Sequence, residues 1–199
     1  MSEHEEGKVK ELSIVTADPA ALGLGGFALT TFVLSIFNAH LISGAGSVIV
    51  VGLAFFYGGL AQLLAGQQEY KKNNVFGATA FNTYGAFWMS LAFFILMSAL
   101  GVFKVPADVP AVGLFLVAFT IFNTYMLIAS FKTNVAVCLV FVFLEITFIL
   151  LDLAEFGAIS SVAGGYFGII TALIAWYASA AVVINSVYKK VVLPVGPLS

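Results

Sequence analysis

Residues 18 to 31 read Asp18-Pro19-Ala20-Ala21-Leu22-Gly23-Leu24-Gly25-Gly26-Phe27-Ala28-Leu29-Thr30-Thr31, and across them a charged segment turns into a long apolar one. Asp18 suits an N-cap, because its carboxylate can accept from the free N–H groups of a first helical turn. Pro19 suits the first helical position, where no N–H is needed. A helix is expected to start here, and its apolar continuation makes it a membrane helix. The N-terminal end of such a helix carries spare donors and a partial positive charge. Two readings stay open at this point: a well-capped helix start, or an anion-receptive mouth on a water-filled path.

Outward from this stretch, hydrophobic residues make up 61% of the chain and charged residues 9%, too little polar surface to cover a water-soluble globule. With a mean hydropathy of +1.08, the expected class is an all-α integral membrane protein. The net charge is -2 and arginine is absent, so there is no basic face for nucleic acid. The single cysteine, Cys138, lies inside an apolar run, without a partner for a disulfide or a ligand-spaced neighbour for a metal. The first residues, Met1-Ser2-Glu3-His4-Glu5-Glu6, are acidic where a secretory signal would be basic, so the first helix is expected to be retained.

Six apolar stretches follow one another, at about 22–42, 47–67, 76–101, 110–130, 134–154 and 161–187. The shortest gives about 31 Å of helix, enough for a hydrocarbon core of roughly 30 Å. Short connectors rich in Gly, Pro and charge separate them, among them Gln68 to Asn74 and Lys104 to Pro110. Six crossings bring both ends of the chain to one side. Seven of the eight lysines fall on that side and only Lys104 on the other, which makes both termini cytoplasmic. The expected organisation is a tail over 1–17, a six-helix transmembrane domain over 18–188, and a second cytoplasmic tail over 189–199. Gly164, Gly168, Ala172, Ala175 and Ser179 recur at a spacing that lets a neighbouring helix approach closely, and Gly58, Gly59 and Gly66 offer the same in the second helix.

Polar residues inside the spans carry the functional signal. The tetrapeptide Phe-Asn-Thr-Tyr occurs at 81–84 and again at 122–125. Asn82, Thr83, Asn123 and Thr124 therefore put neutral donors and acceptors at membrane depth, where each needs a partner or water. Together with Thr30 and Thr31 they are candidates to line a path for a small polar solute, or else to hydrogen-bond between helices. Tyr70, Trp88, Trp176 and Tyr188 fit interfacial anchors. Glu145 falls near the middle of the fifth helix. A carboxylate there costs roughly 2.5 to 3.5 kcal/mol on insertion scales, so it must face a cavity, face a partner or keep its proton. That makes Glu145 a proton-relay candidate, and Asp152 and Glu155 can extend a stripe from it along one helical face. No enzyme, cofactor or metal constellation is legible: His4 and His40 stand apart from any nucleophile or ligand pattern, and there is no Walker sequence.

The opening stretch resembles the Asn-Pro-Ala-Pro-Leu-Gly-Leu signature of the acetate uptake transporter family. Asp18, Pro19, Leu22, Gly23 and Leu24 form the matching mouth motif, with Gly26-Phe27 and Thr30-Thr31 behind it. The resemblance continues through Phe56-Tyr57-Gly58-Gly59-Leu60-Ala61-Gln62, Glu69-Tyr70-Lys71-Lys72-Asn73-Asn74, and Tyr84-Gly85-Ala86-Phe87-Trp88. It implies six helices, a ring of six subunits each with its own pore, and passage of acetate and related short monocarboxylates with protons. It also implies an apolar constriction of Phe27, Tyr84 and Leu144, with Ala180 setting substrate size near the end of the path. Two departures stand out: the family's Asn is Asp18 and its second Pro is Ala21. Asp18 makes the mouth more negative and can occupy the donors an anion would use. Glu145 has no place in the family pattern, and a proton role for it rests on depth alone.

The expected function is membrane transport of a short carboxylic acid by a homo-hexamer in the lipid bilayer. A bare carboxylate pays heavily to enter an apolar pore that offers no cation, which favours protonated acid, or anion with a proton. The alternative is a channel for a small neutral solute such as urea or ammonia.

Overall fold

The computed structural model describes residues 17–106 and 109–198. Most of the expected N-terminal tail, with His4, Lys8 and Lys10, lies outside the described residues. Among the described residues, six helices are long and apolar enough to cross a membrane: α1 Ala20–Asn38, α2 Ile49–Lys71, α3 Val75–Ala99, α4 Ala111–Ser130, α5 Val135–Glu155 and α6 Val162–Tyr188. Asn74 and Asn134 cap α3 and α5, their side-chain oxygens accepting from Gly77 N at 3.1 Å and Val137 N at 2.9 Å. Left-handed residues follow five of the helices: His40 after α1, Asn73 after α2, Gly101 after α3, Gly157 after α5 and Lys189 after α6.

Two boundaries depart from the hydropathy reading. α1 ends at Asn38 rather than near residue 42, because the left-handed turn at His40 sends Leu41 and Ile42 out to an exposed loop. α2 runs on to Lys71, through Gln68-Glu69-Tyr70, which read as part of a connector. Polar content suggested a loop there, yet Gln, Glu and Lys are all good helix formers. The last turn of α2 is polar because part of it faces a cavity.

Helix α6 packs against both α1 and α5, and the small residues picked out in the sequence make that possible. A Cβ at Gly168 would collide with the Ser35 side chain, and one at Gly164 would meet Leu151 Cδ2 at 2.7 Å; Gly165, which the sequence reading did not single out, abuts the backbone of Ala39. On the other side of α1, Gly26 faces α2, where an added Cβ would stand 2.5 Å from the carbonyl oxygen of Tyr57. The α2 backbone widens there into a π-helical stretch, Phe56–Ala61, a local irregularity of the kind often found at functional sites.

Residues 189–198 are not a free tail. Val135 N and Ala136 N, unpaired donors at the start of α5, donate to Gly196 O at 2.7 Å and Val195 O at 3.1 Å. Asn185 on α6 receives Val192 N at 2.7 Å and Leu193 N at 2.9 Å on its Oδ1, and donates to Leu193 O at 2.8 Å. Tyr177 adds a bond to Pro194 O at 2.7 Å. The segment therefore straps the ends of α5 and α6 together and fills orphan helix donors.

Candidate functional site

Two cavities enter the helix bundle from opposite ends. The first, about 270 Å³, opens between Asp18, Lys72 and Asn74 and reaches inward past Gln62, Glu69 and Leu24. The second, about 240 Å³, opens between Asn38, Glu155 and Ser161 and reaches inward past Thr31, Trp88 and Thr147. Three residues line both: Phe27, Tyr84 and Leu144. They are 5%, 3% and 4% exposed, so the two cavities meet at a closed ring of apolar side chains. Phe27 lies about 10 Å along α1 from its first residue, well inside the span.

Aromatic packing holds this ring in place. The Phe27 and Tyr84 ring centroids are 5.7 Å apart, and Tyr84 meets Phe122 of α4 edge-on at 5.2 Å and Phe141 of α5 at 6.3 Å. The Tyr84 hydroxyl donates to Asn123 Oδ1 at 2.6 Å. Asn123 is fully buried, and its amide nitrogen donates to Glu145 Oε2 at 2.6 Å and Phe141 O at 3.2 Å. Thus the Tyr of the first Phe-Asn-Thr-Tyr repeat is held by the Asn of the second.

The mouth motif divides by role. Helix α1 is regular from Ala20, one residue later than expected, with Pro19 O accepting from Gly23 N at 3.0 Å. Asp18 Oδ1 still caps it, accepting from Ala20 N at 3.0 Å, and also pairs with Lys72 Nζ at 3.2 Å. The carboxylate thus occupies both the helix-end donor and the nearest lysine. Asp18 and Leu24 line the first cavity. Pro19 and Leu22 do not, and Gly23 serves packing, since a Cβ there would stand 2.6 Å from the Phe81 ring.

The polar pore candidates also divide. Thr31 faces the second cavity, its hydroxyl without a partner among the described residues. Thr30 is buried against Gly58 instead, and Thr83 lines neither cavity. Asn82 accepts from Gln67 Nε2 of α2 at 2.9 Å and donates back within α3 to Ala78 O at 2.8 Å. Asn123 and Thr124 bond to Glu145 rather than line the path, Thr124 Oγ1 lying 2.7 Å from Glu145 Oε1. Glu145 borders neither cavity. Asp152, likewise, meets Thr120 Oγ1 at 2.7 Å, so the acidic stripe turns toward α4 and only Glu155 reaches a cavity. Ala180 lies off the path as well. Its helical neighbours Ala178 and Val182, one turn apart on a different face of α6, line the first cavity in its place.

Several lining groups escaped the hydropathy reading. Gln62 and Glu69 are 1% and 0% exposed, and each leaves a side-chain oxygen without a partner among the described residues, beside the first cavity. Trp88 is 3% exposed, not an interfacial anchor, and its unpaired indole N–H borders the second cavity. Gln62 sits in an apolar stretch, so the rule that flagged Asn82 would have flagged it too. The polar atoms available to a solute thus stand in the two cavities, and the ring between them is apolar except for one hydroxyl.

Residues 5–199 match the GPR1/FUN34/yaaH family. Acetate permease A of Emericella nidulans is 40% identical over 198 residues, covering 90% of this chain but only 65% of that protein. Succinate-acetate/proton symporter SatP of Escherichia coli (strain K12) is 35% identical over 182 residues, covering 90% of this chain and 95% of the symporter. The solved structure of the bacterial acetate channel SatP superimposes with a TM-score of 0.85 at 36% identity, over 92% of this chain and 100% of that one. This multi-pass membrane chain, with its six spans and its two cavities, belongs to the GPR1/FUN34/yaaH family.

Proposed function

We propose that the chain carries acetate and related short monocarboxylates across a membrane, each with a proton, along the axis of its two cavities. The observation that carries this reading is the meeting of those cavities at Phe27, Tyr84 and Leu144. An aligned pair of vestibules around one narrow apolar ring is a path for a solute small enough to pass side chains that move little. The names of the relatives supply the substrate class: an acetate permease, a succinate-acetate/proton symporter and an acetate channel. The ring offers no cation to a carboxylate, which supports passage as the neutral acid or together with a proton. Gln62 and Thr31, on either side, can hydrogen-bond a carboxyl group before and after it crosses. Both termini are cytoplasmic in this reading, because of the lysine asymmetry, and the subunits form a homo-hexameric ring with one path each.

The test is flux of labelled acetate, urea and ammonia into proteoliposomes, with and without a proton gradient. Acetate uptake that exceeds empty vesicles and rises with an inward proton gradient is expected. Urea or ammonia flux without acetate flux would replace this reading with the neutral-solute channel. Reporter fusions that place the C-terminus outside the cytoplasm would overturn the orientation.

A further inference from the structure

We propose that Glu145 is a positioning residue for the constriction: it sets the selectivity of the path through Asn123 and the Tyr84 hydroxyl, without entering the path itself. The inference rests on the transport reading above and gives Glu145 a role other than proton relay. Three bonds carry it. Tyr84 Oη donates to Asn123 Oδ1 at 2.6 Å, and Asn123 Nδ2 donates to Glu145 Oε2 at 2.6 Å and to Phe141 O at 3.2 Å. Tyr84 is 3% and Asn123 0% exposed, and Asn123 lines neither cavity.

The direction of these bonds follows from the two acceptors that face Asn123. The Phe141 carbonyl can only accept, and Glu145 Oε2 accepts beside it, so the Asn123 amide turns its nitrogen toward both. Its oxygen is then left facing Tyr84. The reverse orientation would press the amide oxygen against two other oxygens. With an acceptor fixed in front of it, the phenol commits its proton to Asn123 and its ring is tied to α4. What Tyr84 offers the path is a lone pair, which receives an O–H donor and repels a carboxylate oxygen.

The same geometry disfavours a relay. Glu145 lines neither cavity, its Oε1 is occupied by the Thr124 hydroxyl at 2.7 Å, and an amide stands between it and Tyr84. An amide passes orientation along a hydrogen-bonded chain but does not titrate. A carboxylate held in mid-span at an energetic cost is thus accounted for by the group it orients.

The experiment compares acetate-to-lactate flux ratios in proteoliposomes for wild type, Glu145→Ala, Glu145→Gln, Tyr84→Phe and the Glu145→Ala, Tyr84→Phe double variant. Glu145→Ala removes the anchor, and a lost buried hydrogen bond corresponds to about a fivefold fall in the ratio. Glu145→Gln keeps an acceptor for Asn123 and is expected to restore the ratio to within about twofold of wild type. In the Tyr84→Phe background no hydroxyl remains to be held, so Glu145→Ala is expected to change nothing further. If Glu145→Ala does not assemble, Glu145→Leu, which refills the volume, is read in the same way. An unchanged ratio in an assembled Glu145→Ala variant overturns the proposal, as does an equal change in both Tyr84 backgrounds. Loss of proton-coupled uptake in Glu145→Gln also overturns it, in favour of a relay. A wild-type chain that moves no labelled acetate refutes the transport reading itself, whereas transport without coupling between Glu145 and Tyr84 refutes the positioning role alone.

Discussion

Truncating Leu144 to Ala is the sharpest perturbation of the constriction. The side chain is 4% exposed and borders both cavities, and the change withdraws three carbons from the narrowest part of the path. In an apolar pocket a single methylene is worth roughly 10- to 200-fold in discrimination between solutes. The lactate-to-acetate flux ratio is therefore expected to rise at least about tenfold. The cost in stability is expected near the low end of the 2–5 kcal/mol typical of buried Leu→Ala changes, because a residue already flanked by two cavities has fewer packed neighbours to lose. The assay is paired uptake of labelled acetate and lactate into proteoliposomes, read as a ratio so that differences in reconstitution cancel. Val137→Ala, which alters only the first cavity, is the control and is expected to move the ratio by less than about twofold. A Leu144→Ala ratio no different from wild type, with assembled protein, would refute the assignment of the limit to this ring. Phe27→Ala run alongside would then show whether the limit lies on the α1 side.

Gly26→Ala is expected to destabilise the chain by about 1–3 kcal/mol, because the new methyl would stand 2.5 Å from the Tyr57 carbonyl; thermal unfolding in detergent measures it, and an unchanged midpoint would refute the tight α1–α2 crossing. Gln62→Leu is expected to lower acetate flux about tenfold, the cost of losing a hydrogen bond to a charged or strongly polar solute, with thermal stability kept because its Oε1 has no partner in the chain. Asn185→Ala is expected to cost about 1–3 kcal/mol, through the backbone bonds it holds at Val192 and Leu193, and to speed proteolysis within residues 191–198. Equal cleavage rates for the two proteins would refute the role of Asn185 as anchor of the strap.

Length and polarity made the six spans legible, because a membrane helix needs little beyond some 20 apolar residues. Phe27 and Tyr84, which line both cavities, stood out through the motifs around them. Glu69 was not, because counting apolar residues treats the polar last turn of α2 as a connector, whereas a cavity lets polar side chains be buried at the end of a span. The strap over 189–198 left a signal that went unused: Val191-Val192-Leu193-Pro194-Val195 is too apolar for a solvated tail. Trp88 was misplaced for a related reason. Aromatic belts mark helix ends, yet Trp88 lies midway along α3, and its depth rather than its type decides its surroundings. The link from Tyr84 to Glu145 was the least accessible, since it joins α3, α4 and α5 and depends on which helices are neighbours.

The distribution of polarity along the path bears on what crosses it. At one end Asp18 and Lys72 neutralise each other, so that mouth does not concentrate anions strongly. Deeper in, Glu69 Oε1 is an acceptor that favours a solute bringing a donor, whereas Gln62 carries both an acceptor oxygen and an amide donor. The ring then offers a lone pair of Tyr84 with its proton turned away toward Asn123. Beyond it the Thr31 hydroxyl and the Trp88 indole can supply donors again. A carboxylate would meet the Glu69 oxygen, the Tyr84 lone pair and an apolar ring with no cation, whereas a carboxylic acid would bring the O–H that those acceptors lack. Under the proposed transport, the proton therefore belongs on the substrate while it crosses, and coupling to a proton gradient needs no titrating residue at the constriction.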